Sequence, residues 1–170
     1  MSLETVFLEY STSKLKQSAD RIGICLDHLT PEQVWARGTD NENSIGNLVL
    51  HLCGNVGQWI GTGVMGAPLT RDRDAEFAAQ GGVDPAALKH RLEAAVDAAA
   101  TAIASLPAHR LEQRITVQAY DVTVLEAVYH VVEHFTYHTG QIIFATKFLT
   151  GTDLAFYRHL KADSNRETVP

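Results

Sequence analysis

A chain of 170 residues with 45% apolar and 20% charged side chains can bury one sizeable core and is too apolar for disorder. Its formal charge of −6 leaves no electrostatic footprint for nucleic acid, and its scattered Lys and Arg residues make no polybasic membrane surface. No run of about 18 apolar residues exists, and Glu4 and Glu9 stand where a leader peptide needs an apolar centre, so the expected location is cytoplasmic.

The first predicted helix runs from about Leu3 to Leu29, with Val6, Leu15, Ile22, Leu26 and Leu29 among its apolar positions. "TPEQ" at 30–33 is a capping box that starts a short helix, which "RGTDNENS" then breaks. A second long helix begins near Asn43 or Ser44 and continues to Trp59 or Ile60 on a stripe of Ile45, Leu48, Leu52, Val56 and Trp59. The stretch "GTGVMGAPLTRDRDAEFAAQGG" reads as a loop, its second half too polar and Gly-rich for a regular element. Asp84-Pro85 starts a third helix, and Pro107 ends it.

"LEQRITVQAYDVT" reads as a short extended link. Thr123 and Glu126 form another capping box, launching a fourth helix that runs to about Leu149 before Gly151 stops it. Four long amphipathic helices with few strand signals predict an all-α fold, a four-helix bundle filling residues 1–157, with a polar tail at 158–170. Cys25 and Cys53 lie in apolar helical surroundings and read as buried, reduced thiols.

The chemistry concentrates in "HVVEHFTYHTGQI", which places His130, His134 and His138 at four-residue intervals. At about 100° per residue, His138 lies roughly 40° from Ile142 at the centre of the buried stripe, His134 roughly 80° and His130 roughly 120°. His134 and His138 can therefore look into the bundle as a pair of metal ligands, with His130 at the flank. A third ligand must come from another helix, and His51 on the second helix meets that need, with Asn55 one turn on to orient a ligand or bind water. His28, His90, His109 and His159 sit near helix ends or polar turns and read as surface residues. Phe135 follows His134 where a zincin needs Glu, and no ExxH occurs for a di-iron site. What survives is a site of three neutral imidazoles with open coordination positions.

"SIGNLVLHLCGNVGQWI" and "HVVEHFTYHTGQIIFATKFL" resemble the two signature segments of the DinB/YfiT-like superfamily of metal-dependent enzymes. That resemblance implies an up-down-down-up four-helix bundle, often a homodimer, with one divalent metal on His51, His134 and His138. It also implies chemistry that uses a low-molecular-weight thiol, as transferase or isomerase, on a small-molecule substrate. Zinc or nickel suits such ligands. Neither Glu133 nor Glu126 stands beside the paired histidines as a base for water, which favours thiol activation over metal-dependent hydrolysis. A non-catalytic, stress-related bundle that merely binds metal is the reading from a different class. Arg71 and Arg73 in "TRDRDAEF" are candidates to bind carboxylates of a thiol cofactor, and Tyr137 and Gln141 flank the histidine face. Trp59 is expected in the core or a dimer interface.

Overall fold

The computed structural model describes residues 1–158, so the expected tail and His159 lie, apart from Arg158, outside the described residues. The chain is mostly helical, with one small antiparallel hairpin. No helix among the described residues is long and apolar enough to cross a membrane.

Helix α1 spans Leu3–Asp27 and buries Leu8, Leu15, Ile22 and Leu26, a helical repeat on one face; Val6 falls off that stripe and is 45% exposed. It ends two residues before the expected Leu29 because Thr30 already caps α2, Pro31–Val34, through the reciprocal bonds with Gln33 that the sequence announces. Helix α3, Ile45–Val56, starts on a second capping box, Ser44 with Asn47. Helix α5, Pro85–Ala104, starts on Asp84 and buries Leu88, Leu92, Val96 and Ile103. Helix α6, Val124–Thr150, starts on the Thr123–Glu126 box and stops at Gly151, whose φ of 64° suits glycine. Helices α1 and α3 each pack on both α5 and α6, and one core runs between them, with Phe135, Leu52, Ile103 and Ile142 fully buried.

Three segments depart from the sequence reading. The second long helix runs past the expected Trp59 or Ile60, widening after Val56 into a π-helix, Gly57–Val64, that buries Trp59, Ile60 and Val64. Gly57, Gly61 and Gly63 lowered helix propensity on paper, yet tertiary packing holds this segment helical. Next, the polar stretch forms α4, Arg73–Ala78, capped by Asp72. Its terminal carbonyls, exposed in an isolated helix, are taken up by α3 and the linker before it: Asn47 Nδ2 donates to the carbonyls of Glu76 and Ala79 at 2.8 Å each, and Arg37 of the linker donates to those of Phe77 and Ala79 at 3.0 Å each. Finally, the extended link is a hairpin, β1 Arg114–Val117 and β2 Tyr120–Thr123, in register Arg114↔Thr123 to Val117↔Tyr120. Its turn residues, Gln118 and Ala119, adopt φ of 51° and 67°, the left-handed pair a tight hairpin requires but without the glycine that favours it. The hairpin approaches the π-helix closely because Gly63 has no side chain; a β-carbon there would overlap Val117.

Candidate metal centre

Helices α3 and α6 face each other, and this brings His51, His134 and His138 together, with one ligand atom of each within 4.8 Å of the others. His51 and His134 meet through Nε2 at 2.9 Å. The rings stand nearly edge-on: His51 to His138 at 86° and His134 to His138 at 86°, with centroids 5.4 and 4.5 Å apart. His130 is separate from this group. Its ring stacks 4.1 Å from Trp59 and 5.4 Å from His134, on the flank where the helical phase puts it.

The rings are held by their far nitrogens. His51 Nδ1 lies 3.2 Å from Glu76 Oε2, and His138 Nδ1 lies 2.6 Å from Gln141 Oε1. A carboxylate and an amide oxygen can only accept, so each Nδ1 carries its hydrogen and each Nε2 keeps a lone pair. Arg71 Nη2 is also 3.0 Å from His51 Nδ1, but its shorter bond goes to Glu76 Oε2 at 2.7 Å, which leaves the imidazole N–H to Glu76 as well. With His51 Nε2 an acceptor, His134 Nε2 either donates its hydrogen to it across this 2.9 Å or gives that hydrogen up when a cation lies between them. Tetrahedral zinc with bonds near 2.05 Å would set nitrogens about 3.3 Å apart, a few tenths of an ångström wider.

Burial also readies these rings. His134 is held neutral down to about 3, first by burial and then by the neighbouring His138, His51, His130 and Arg71. His51 and His138 are lowered chiefly by burial, partly opposed by their bonds to Glu76 and Gln141. Neutral imidazole is the form that binds a metal, so no proton must be displaced at neutral pH. The donor set, its tautomers and its protonation fit a divalent transition-metal ion.

Glu76 is the residue that the sequence reading missed. Its carboxylate, on α4, accepts from Arg71 Nε and Nη2 at 2.7 Å each and from His51, while Arg71 Nη1 donates to Gln58 Oε1 at 2.8 Å. Gln58 in turn accepts from Gln118 at the hairpin turn, so one polar chain links β1–β2 to His51. Gly54 makes room for it: a β-carbon there would overlap the Glu76 carboxylate. Two signals were available, namely the capping pattern at Asp72 and the rule that a ligating histidine wants an acceptor behind it.

Arg71 is turned inward to Glu76, its side chain only 5% exposed, whereas Arg73 is exposed and lies over the Phe77 ring at 5.0 Å. Both line a cavity of about 430 Å³ whose wall includes His51, His134, His130, Asn55 and Trp59. Trp59 is thus buried, as expected, but against His130 and this cavity. Tyr137 is 65% exposed and stands edge-on to His138. His28, His90 and His109 are exposed.

Fold and site together define a helical protein with a three-histidine group able to hold a metal ion, opening on a cavity. The chain belongs to the family described as "Protein of unknown function (DUF1572)", which it matches over residues 2–160. It is similar in structure to a conserved protein from Enterococcus faecalis known from its crystal structure: TM-score 0.76, 15% identity, covering 89% of this chain and 99% of that one. No curated protein matches the chain.

Proposed function

We propose that this protein is a metal-dependent enzyme of the DinB/YfiT-like kind, a single up-down-down-up four-helix domain with one divalent ion, zinc or nickel, on His51, His134 and His138. The observation that carries the reading is the convergence of these imidazoles beside an open cavity, two of them with their far nitrogens fixed by acceptors. A purely structural site would be closed on all sides. The bound ion would supply uncompensated positive charge, which ionises a thiol or a water molecule placed against it.

Thiol chemistry suits the residues present better than hydrolysis. Glu76 is saturated by Arg71 and His51, and Glu126 holds the Thr123 backbone and hydroxyl on its Oε2 to cap α6, so Glu76 is not a free base and Glu126 is tied to the helix start. His130 lines the cavity, its ring making no hydrogen bond among the described residues, and takes the thiol proton. The thiolate sulfur then bonds to an electrophilic carbon, whose leaving group departs with the bonding pair and collects a proton. Hydrolysis remains the second reading, with His130 as base for water. Phe144 and Phe148, 72% and 81% exposed and stacked on the outer face of α6, support self-association into a homodimer across that helix.

Titration with cobalt(II) tests the reading. Intense visible d–d bands at one equivalent, lost in His134→Ala, together with consumption of a low-molecular-weight thiol by an electrophile, are expected. A featureless titration or unchanged bands in His134→Ala would refute it.

A further inference from the structure

The cavity beside the histidines carries groups that metal binding does not require. Asn55 is 4% exposed, its side chain makes no hydrogen bond among the described residues, and its Oδ1 is buried without a partner on the cavity wall. Trp59 is 5% exposed, and its indole N–H likewise has no partner among the described residues. Each unsatisfied group costs about 1–3 kcal/mol, and native proteins keep such groups where something else satisfies them.

Charge on the same wall is mixed. Glu76 neutralises Arg71, Glu126 keeps its own charge with Oε2 held in the capping box, and Arg73 has no carboxylate partner among the described residues. The same cavity is lined by two aromatic rings, Trp59 and Tyr120, 6.3 Å apart with 29° between their planes. A ring inserted between two others needs roughly 7 Å, two contacts of about 3.5 Å. Tyr120 is 62% exposed on the hairpin, so an adjustment of under about 1 Å opens the slot without disturbing the core.

We propose that this cavity binds a small planar carboxylic acid, its ring between Trp59 and Tyr120, its carboxylate on Arg73 and a polar substituent on the Asn55 amide. This names the substrate class for the enzyme proposed above, and it rests on that reading only for the part the ion plays. A volume of about 430 Å³ holds one ring with short substituents and leaves the open side of the histidine group free.

The indole N–H signals in a nitrogen–proton correlation spectrum test it, because the chain has two tryptophans. Trp35 is the internal control, its N–H donated to the Val83 carbonyl at 2.9 Å away from this cavity. Benzoate is the probe and benzamide its neutral counterpart, each added to metal-free and to zinc-loaded protein. Expected are a saturable shift of the Trp59 signal by benzoate with Trp35 unmoved, and binding at least about tenfold weaker for benzamide. Arg73→Gln should bring benzoate down to the benzamide level, and Tyr120→Leu should weaken both alike; an unmoved Trp35 signal reports that each variant is folded. Equal binding of the two probes, no effect of Arg73→Gln, or no Trp59 shift in either form of the protein overturns the proposal. Zinc uptake is read separately: a chain that takes up no zinc yet binds benzoate through Arg73 defeats the enzyme reading alone, whereas stoichiometric zinc without benzoate binding defeats the acid site alone.

Discussion

Replacing Glu76 with Gln isolates the carboxylate behind His51. The side chain keeps its shape and one acceptor oxygen, but the charge that faces both Arg71 and the imidazole N–H is gone. Arg71, with a side chain 5% exposed, is then buried beside a neutral amide whose NH2 must face either the guanidinium or His51 Nδ1, both donors. Removing an acceptor behind a ligating histidine typically costs 10–100-fold in metal affinity, which is about 1.4–2.7 kcal/mol. Breaking the buried pair adds a folding cost of up to about 3–5 kcal/mol, less here because Gln58 still accepts from Arg71 Nη1 at 2.8 Å. Competition for zinc against a chromophoric chelator gives the affinity, and urea unfolding of the metal-free protein gives the stability. Gly54→Ala approaches the same contact from the other side, since its methyl displaces the carboxylate without removing the charge. Both variants should weaken zinc binding at least tenfold. Affinity within twofold of the parent in Glu76→Gln, while His51→Ala abolishes binding, would refute the role given to Glu76.

Other consequences can be checked on the same protein. His51→Ala, His134→Ala and His138→Ala should each abolish stoichiometric metal binding measured by calorimetry, whereas His130→Ala should leave it within a few-fold, since His130 packs on Trp59 outside the group. Metal-free protein should be acid-labile. An unfolded imidazole takes up a proton near 6.5 while His134 refuses one down to about 3, so between those values the unfolded chain holds more protons and stability falls as pH falls. From pH 6.5 to 5, that residue alone removes about 1.6 kcal/mol, the slope approaching 1.36 kcal/mol per pH unit below 6.5, visible as a lower urea midpoint, and bound zinc should offset part of it. Ala119→Gly should raise the melting temperature, because a φ of 67° costs alanine about 1 kcal/mol that glycine does not incur. Cys53, its thiol pushed by burial to about 12, should resist iodoacetamide at pH 8 until the protein unfolds.

The sequence by itself set three of the long helices and the short α2, because their starts are written locally: Thr30 with Gln33, Ser44 opening α3, Asp84-Pro85, and Thr123 with Glu126 are short-range patterns that cap a helix whatever surrounds it. Helical phase likewise ordered His138, His134 and His130 along α6, since that order follows from 100° per residue alone. Other features depend on distant partners. The π-helix at Gly57–Val64 survives its glycines only by burying Trp59, Ile60 and Val64, and α4 exists because Asn47 and Arg37 absorb its carbonyls. Tertiary structure therefore decided where Glu76 stands, why Arg71 turns inward, and that Trp59, Tyr120 and Arg73 share one cavity. Residues 25 to 87 positions apart along the chain meet at this centre, and their meeting is a property of packing that no window of local sequence contains.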